Sequence, residues 1–200
     1  MHYTVEQCSI IVLAAGMSSR LGHPKQLLNY KGKSLLQHAV HEAMQTTIRP
    51  VIVVIGANSD VVKKELKDLD IEVAENERWI EGMSTSLHCG LVAAKKLNKN
   101  VDGIIFMVSD QPFVSGLLLD DLLKAQHETG LPIIASDYGD KLGTPVLFHK
   151  SFFSELMKLS GDTGARKLIK KNTDIVATVA FFKGNIDIDT VEDYEGLAEQ

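Results

Sequence analysis

The chain has 200 residues, 44% hydrophobic and 24% charged, which suits a soluble core-forming protein and leaves little room for extended disorder. Its formal net charge of −5 excludes the basic profile of a general nucleic-acid or acidic-membrane binder, while a few local cations would still suffice for a small anionic substrate. Two cysteines, Cys8 and Cys89, form no CxxC pattern and read as reduced thiols of a cytoplasmic protein; neither a signal peptide nor an apolar stretch near the ~20 residues of a membrane span is expected.

In chain order, short β-branched runs alternate with helical patterns. Ile10-Ile11-Val12-Leu13 predicts a strand covered on both faces, and a Gly-containing loop follows it. Ser34 reads as an N-cap with Gln37 completing a capping box, ahead of an apolar face at Leu36, Ala39, Val40, Ala43 and Met44. Val51–Ile55 predicts the second strand, Ser59–Leu69 a helix and Ile71–Ala74 a short third strand. Ser84 or Thr85 is placed as the cap of a helix through Leu87, Leu91 and Ala94. Ile104–Val108 predicts the fourth strand, and a Leu-rich helix runs from about Ser115 to Glu128.

Pro132–Ala135, Pro145–Phe148 and Ile175–Phe181 read as further strands. Helices are expected near Phe152–Leu159, Thr163–Lys171 and Val191–Ala198, and Ser136–Thr144 as an irregular, mobile loop. Such alternation predicts a single domain over residues 1–200, a three-layer α/β sandwich with parallel crossovers.

Ligands of open α/β sheets sit beyond the carboxyl ends of the strands, and four polar segments lie there. In the first, Ala14, Ala15 and Gly16 let backbone N–H groups approach a ligand, Ser18 and Ser19 add hydroxyls, and Arg20 and Lys25 supply cations for a polyphosphate. The dinucleotide fingerprint GxGxxG is missing. Gly32-Lys33-Ser34 is not a Walker A loop, because Leu27 stands where its first glycine belongs. A plain glycine turn with two solvated cations is the competing reading.

In the second segment, Ser109-Asp110-Gln111-Pro112, a carboxylate at a strand terminus suits Mg²⁺, although taken alone a turn or helix-capping Asp is the better reading. In the third, Gly82-Met83-Ser84-Thr85-Ser86 offers hydroxyls and free N–H groups at a helix start for a base or ribose, or caps the helix, or both. In the fourth, Asp187-Ile188-Asp189-Thr190, alternation puts both carboxylates on one face, so Asp189 joins Asp110 as a candidate metal ligand. Gly161–Arg166 is either a wall of a second-substrate pocket, with Arg166 on a phosphate, or a loop and cap. His38 and His41 are placed facing outward with no ligand role, and Trp79 is read as a packing residue.

Taken together, these segments resemble the MobA-like nucleotidyltransferases, and within them the molybdenum cofactor cytidylyltransferase branch. The resemblance spans nearly the whole chain. It rests on LAAGMSSRLGHPKQLL at Leu13–Leu28, GMSTSL at Gly82–Leu87, SDQP at Ser109–Pro112, GTPVLF at Gly143–Phe148, GDTGAR at Gly161–Arg166 and DIDTVEDY at Asp187–Tyr194. Val191 stands where relatives often carry Pro.

The resemblance implies a Rossmann-like three-layer α/β/α sandwich of the nucleotide-diphospho-sugar transferase type, with a mostly parallel mixed sheet. It implies a nucleotide site at Leu13, Ala14, Ala15, Gly16, Ser18, Arg20, Lys25, Gly82, Ser84 and Ser86. Arg20 and Lys25 would hold the triphosphate and act in catalysis with Asp110, and Asp110 and Asp189 would hold Mg²⁺. In that family LAAG goes with CTP and LAGG with GTP, so Ala15, whose methyl would crowd guanine, points to CTP.

The implied reaction moves CMP from CTP to the phosphate of molybdenum-bound molybdopterin and releases pyrophosphate. A molybdoenzyme would be a transient partner; nucleic acid and membrane are not expected partners. Sugar and terpenoid nucleotidyltransferases share the first loop, so another small phosphate is an alternative acceptor. A non-catalytic carrier of the molybdenum cofactor is the alternative of another class. His149, Arg166 and Ser136–Thr144 are the candidates for holding the pterin.

Overall fold

The computed structural model describes residues 2–17, 24–186, 188 and 191–198. The chain runs β1 (Cys8–Ala14), β2 (Asn29–Tyr30), β3 (Lys33–Ser34), α1 (Leu35–Gln45), β4 (Val51–Ile55), α2 (Ser59–Glu65), β5 (Glu72–Glu75) and α3 (Met83–Leu97). It continues through β6 (Gly103–Val108), α4 (Gly116–Thr129), β7 (Ile133–Asp137), β8 (Leu142–His149), α5 (Phe153–Met157), α6 (Arg166–Lys171), β9 (Val176–Ala180) and α7 (Val191–Ala198). One seven-stranded sheet has the order β5-β4-β1-β6-β8-β7-β9, and β2-β3 form a separate two-stranded ribbon. Only β8 runs against its neighbours, so the sheet is mixed and mostly parallel.

The period-2 geometry of a strand explains why the central runs are apolar throughout. Along β1, Ile10, Val12 and Ala14 pack under α1 and α4, while Ile11 and Leu13 pack under α3 on the other face. Phe106 and Phe148, both fully buried, meet edge to face at 6.4 Å on the α3 side. Helices thus cover both faces, which makes the three-layer α/β/α sandwich.

The capping box forms as the sequence predicts. Gln37 N–H donates to Ser34 Oγ at 3.2 Å, and the Gln37 side chain accepts from Ser34 N–H at 3.2 Å. Such a cap is worth about 1 kcal/mol.

Four local expectations are corrected. The helix expected over Ser59–Leu69 stops at Glu65, because Asp68 takes a φ of +66°, a left-handed conformation that an α-helix cannot contain. The irregular stretch expected at Ser136–Thr144 is mostly ladder: Ser136 pairs with Gly143 and Asp137 with Leu142, leaving residues 138–141 as the turn. His38 does not face outward, since its Nε2 meets the Tyr30 carbonyl and its ring lies 5.2 Å from the Tyr30 ring. His149 pairs with Gly103 at the start of β6, at the opposite end of the sheet from Asp110, so it belongs to no pocket that Asp110 serves. Burial, followed by Lys150, holds its imidazole below the usual histidine range, against the pull of Asp102.

Both cysteines are free thiols. Burial and then the Asp102 carboxylate push the Cys8 thiol up to about 12, which makes it a packing residue rather than a nucleophile. Among the described residues, no helix is long and apolar enough to cross a membrane.

Candidate active site

After β1 the chain builds β4 and β5 on one side, then returns to lay β6 on the other. Loops leaving β1 and β6 therefore diverge at their carboxyl ends, which opens a crevice at the switch point. Leu13 and Val108 are register partners at its floor, and Ser109 N–H donates to Leu13 O at 3.2 Å. The crevice measures about 440 Å³. Of the residues singled out in the sequence, it gathers Leu13, Ala14, Ala15, Gly16, Lys25, Gly82, Ser86 and Asp110. Ser84 is not on its wall but buried, with its N–H spent on Gly161 O at 3.1 Å. Ser18, Arg20 and Asp189 lie outside the described residues.

A short 3₁₀ turn, Lys25–Leu27, aims two neighbouring side chains in different directions. Gln26 turns inward, 2% exposed, and its Nε2 reaches Ala14 O and Gly16 O at 3.4 Å each. It thereby ties the glycine loop to the far side of that loop's own excursion. Lys25 turns into the crevice and donates to Asp110 Oδ2.

The other oxygen, Asp110 Oδ1, is buried and has no hydrogen-bond partner among the described residues. Leaving such an acceptor unmet costs about 1–3 kcal/mol, a penalty a fold keeps where something else is to bind. A hard divalent cation fits that oxygen, since magnesium takes one or two carboxylates and completes its shell with water and phosphate. Among the described residues no group of three or more His, Cys, Asp or Glu could cage a metal. A cation on Asp110 would therefore share its ligands with a substrate. Ile188 N–H donates to Asp110 O at 3.3 Å, which brings the C-terminal segment against the same loop.

The crevice's opposite lip is the start of α3. The sequence placed the cap on Ser84 or Thr85; the helix begins earlier, with Gly82 as N-cap at φ +108° and ψ 175°. Thr85 Oγ1 then bridges Arg78 O at 3.0 Å and Gly82 O at 2.9 Å from within the first turn. Asn76 Nδ2 donates to Thr85 Oγ1 and to Ser86 Oγ, at 2.8 and 3.0 Å. That leaves the Ser86 hydroxyl proton for a ligand in the crevice.

A Cβ on Gly82 would stand 2.3 Å from the Gly161 backbone in a conformation that side chains rarely adopt. Gly82→Ala is therefore expected to lower stability by about 2–4 kcal/mol, the sum of strain and overpacking. A thermal melt checks this, and an unchanged midpoint would show that the two loops are not packed as described.

A second groove of about 220 Å³ joins the first at Met83, Val108 and Asp110. Gln111, Tyr138, Lys141, Thr144 and Arg166 line it, so Arg166 lies where the sequence suggested a second-substrate pocket. Asp110 thus stands between two adjoining spaces, one bearing Lys25 and one bearing Lys141 and Arg166. A larger cavity of about 570 Å³ lies elsewhere, between the edge strand β5 and α3. Its lining mixes Glu72 and Glu75 with Arg78 and Lys96, and it includes neither the glycine loop nor Asp110.

Residues 10–176 match the model of the MobA-like NTP transferase domain. Nicotine blue oxidoreductase of Paenarthrobacter nicotinovorans is 28% identical over 191 residues, 91% of this chain and 92% of that protein. The purine catabolism protein PucB of Bacillus subtilis (strain 168) is 28% identical over 198 residues, 92% of this chain and 93% of that protein. Among solved structures, Rv0371c from Mycobacterium tuberculosis H37Rv superposes with a TM-score of 0.85 at 30% identity, covering 98% of this chain and 100% of its own. A complex of Rv0371c with manganese superposes with a TM-score of 0.80 at 29% identity, covering 97% and 99%. The family match takes in β1, the Lys25 turn, the α3 lip and Asp110, the parts from which the crevice is made. The chain is a member of the MobA-like NTP transferase family.

Proposed function

We propose that this chain transfers CMP from CTP to the phosphate of molybdenum-bound molybdopterin and releases pyrophosphate. The observation that carries the proposal is Asp110 at the junction of two grooves, with Lys25 on one of its oxygens and, among the described residues, no partner on the other. An acceptor phosphate oxygen attacks the α-phosphorus, the bond from that phosphorus to the bridging oxygen breaks, and pyrophosphate leaves with the electron pair. The attacking group is already an anion, so no activated Ser or Cys is needed, and the protein's work is alignment and charge neutralisation.

In this reading the loop Leu13–Gly16 and the α3 lip, through Gly82 and Ser86, hold the nucleotide. Lys25 and Arg20 hold the triphosphate, and Arg166 and Lys141 meet the acceptor. Asp110, with Asp189, would hold Mg²⁺, which supplies charge neutralisation at the α-phosphate. The manganese in the structure of Rv0371c, a protein 29% identical, supports a divalent cation. The cytosol is the proposed location, with a molybdoenzyme as transient partner for product delivery.

In this reading CTP would be preferred over GTP, and the packing around Ala15 supports it. Ala15 and Trp79 both line the nucleotide groove, and Gly56 packs against the two of them: a Cβ there would stand 2.9 Å from the Ala15 methyl and 2.7 Å from Trp79 Cβ. A larger base must displace that lining. With CTP, GTP, UTP and ATP offered in turn, CTP is expected to give a kcat/KM at least about tenfold above GTP. Equal use of GTP would remove the cytidylyl assignment. Transfer to a simple sugar or terpenoid phosphate at a higher rate than to the molybdenum cofactor would replace the acceptor. The name of the Paenarthrobacter relative suggests a redox reading for that protein. Here it would show as oxidation or reduction of a substrate without pyrophosphate.

A further inference from the structure

We infer that Gln111 is a positioning residue that locks the acceptor-side groove to the Asp110 loop, so that acceptor binding depends on it and nucleotide binding does not. The inference rests on the two-groove reading above. Gln111 is 4% exposed, and its side-chain amide is used at both ends. Nε2 donates to Tyr138 Oη at 2.9 Å and to Gly184 O at 2.7 Å, while Oε1 accepts from Thr144 Oγ1 at 3.1 Å. One side chain thus ties the Asp110 loop to two segments distant from it in sequence: the β7–β8 turn with the start of β8, and the stretch after β9.

Tyr138 and Thr144 line the second groove, and Gly184 packs against the Tyr138 ring. Tyr138 Oη donates onward to Thr144 O, and Tyr138 N–H donates to Lys141 O at 3.0 Å, closing the turn that presents Lys141. The Tyr138 ring fits between two glycines. A Cβ on Gly143 would stand 2.4 Å from its hydroxyl oxygen, and one on Gly184 2.1 Å from its Cε1. Phe181 packs against the ring edge-on at 5.9 Å. The wall is therefore a packed plate, and Gln111 is its bond to the residue next to Asp110. Tyr138, Thr144 and Gly184 do not line the nucleotide groove.

A buried amide with both ends satisfied holds position tightly, because breaking any one bond strands a polar atom away from water. Leucine at this place keeps the volume and removes all three bonds. The wall would then be free to shift relative to Asp110 while the loop Leu13–Gly16, held by Gln26, stays where it is.

The test compares Gln111→Leu and Tyr138→Phe with the unaltered protein in three measurements. Steady-state kinetics with CTP, Mg²⁺ and molybdenum cofactor give the two KM values. Quenching of Trp79, the only tryptophan in the sequence and a lining residue of the nucleotide groove, reports CTP binding without turnover. Hydrogen–deuterium exchange reports the wall itself. Gln111→Leu is expected to raise the acceptor KM at least about tenfold, the equivalent of one lost hydrogen bond, and to leave CTP binding within about twofold. Exchange should rise over residues 138–144 and 181–186 and stay unchanged over residues 83–87. Tyr138→Phe should move the same quantities by less.

Equal shifts in both KM values, or an unmoved acceptor KM, would overturn the inference. Failure of the functional reading looks different: the unaltered protein then makes no pyrophosphate. In that case the exchange pattern of Gln111→Leu still decides, and unchanged exchange over the wall rejects the positioning role.

Discussion

Asp110→Ala is expected to cut turnover at least ~100-fold, the usual cost of losing one charge-stabilising contact in a transition state. The fold should survive. Among the described residues Asp110 makes one ion pair, to Lys25, and its second oxygen is an unmet acceptor. Removing the carboxylate loses the first and relieves the second, two effects of similar size and opposite sign. The melting temperature should therefore stay within about 3 °C of the unaltered protein or rise, as happens when a site held at the expense of stability is dismantled. Purified Asp110→Ala with near-normal turnover would refute the metal assignment. A large fall in melting temperature would show that the carboxylate holds the structure together.

Lys25→Met should act on two steps at once. The ammonium lies on the carboxylate that would receive the cation, so without nucleotide lysine and metal would compete for the same charge. A triphosphate offers the ammonium a stronger anionic partner and draws it away. Turnover with CTP is expected to fall about 100-fold or more, because the leaving pyrophosphate loses a cation. Without nucleotide, Lys25→Met should bind Mn²⁺ several-fold more tightly than the unaltered protein, as read from the loss of the free-ion resonance signal. Two like charges within a few ångströms in a half-buried cleft repel by more than 1 kcal/mol, which is the size of that gain. Unchanged Mn²⁺ affinity would mean that the ion pair does not occupy the metal position.

The layered fold was legible because its cause is written in single runs of residues. Ile10–Leu13, Val51–Ile55 and Ile104–Val108 are apolar at every place, short and rich in Ile and Val, which together favour a strand covered on both faces. The Ser34–Gln37 box was legible for a similar reason, since both partners lie within one turn. The direction of β8 was not, because register and orientation come from pairings between distant segments. Gly82 was missed as the α3 cap because a glycine at a helix start becomes obligatory only when another backbone, here Gly161, approaches it.

The candidate site divides in the same way. Asp110 and Lys25 could be found because a strand end followed by Pro, and a glycine loop followed by cations, are local patterns. Gln26 and Gln111 could not. A glutamine has no periodic or motif signal, and its role appears only when Ala14 O, Gly16 O, Tyr138 Oη and Gly184 O converge around it. The signal available in advance was weak: each glutamine adjoins a residue already chosen for its charge.

Pyrophosphate release in a mixture of the purified protein, CTP, Mg²⁺ and molybdenum cofactor tests the central claim most directly, with the cofactor product resolved by mass. The expected result is one pyrophosphate per CTP consumed and a cofactor heavier by one cytidylyl group (CMP less water), with both signals lost in Asp110→Ala. Tight binding of CTP and cofactor with no pyrophosphate over many hours would contradict it, and would make this crevice a carrier's pocket rather than a transferase's active site.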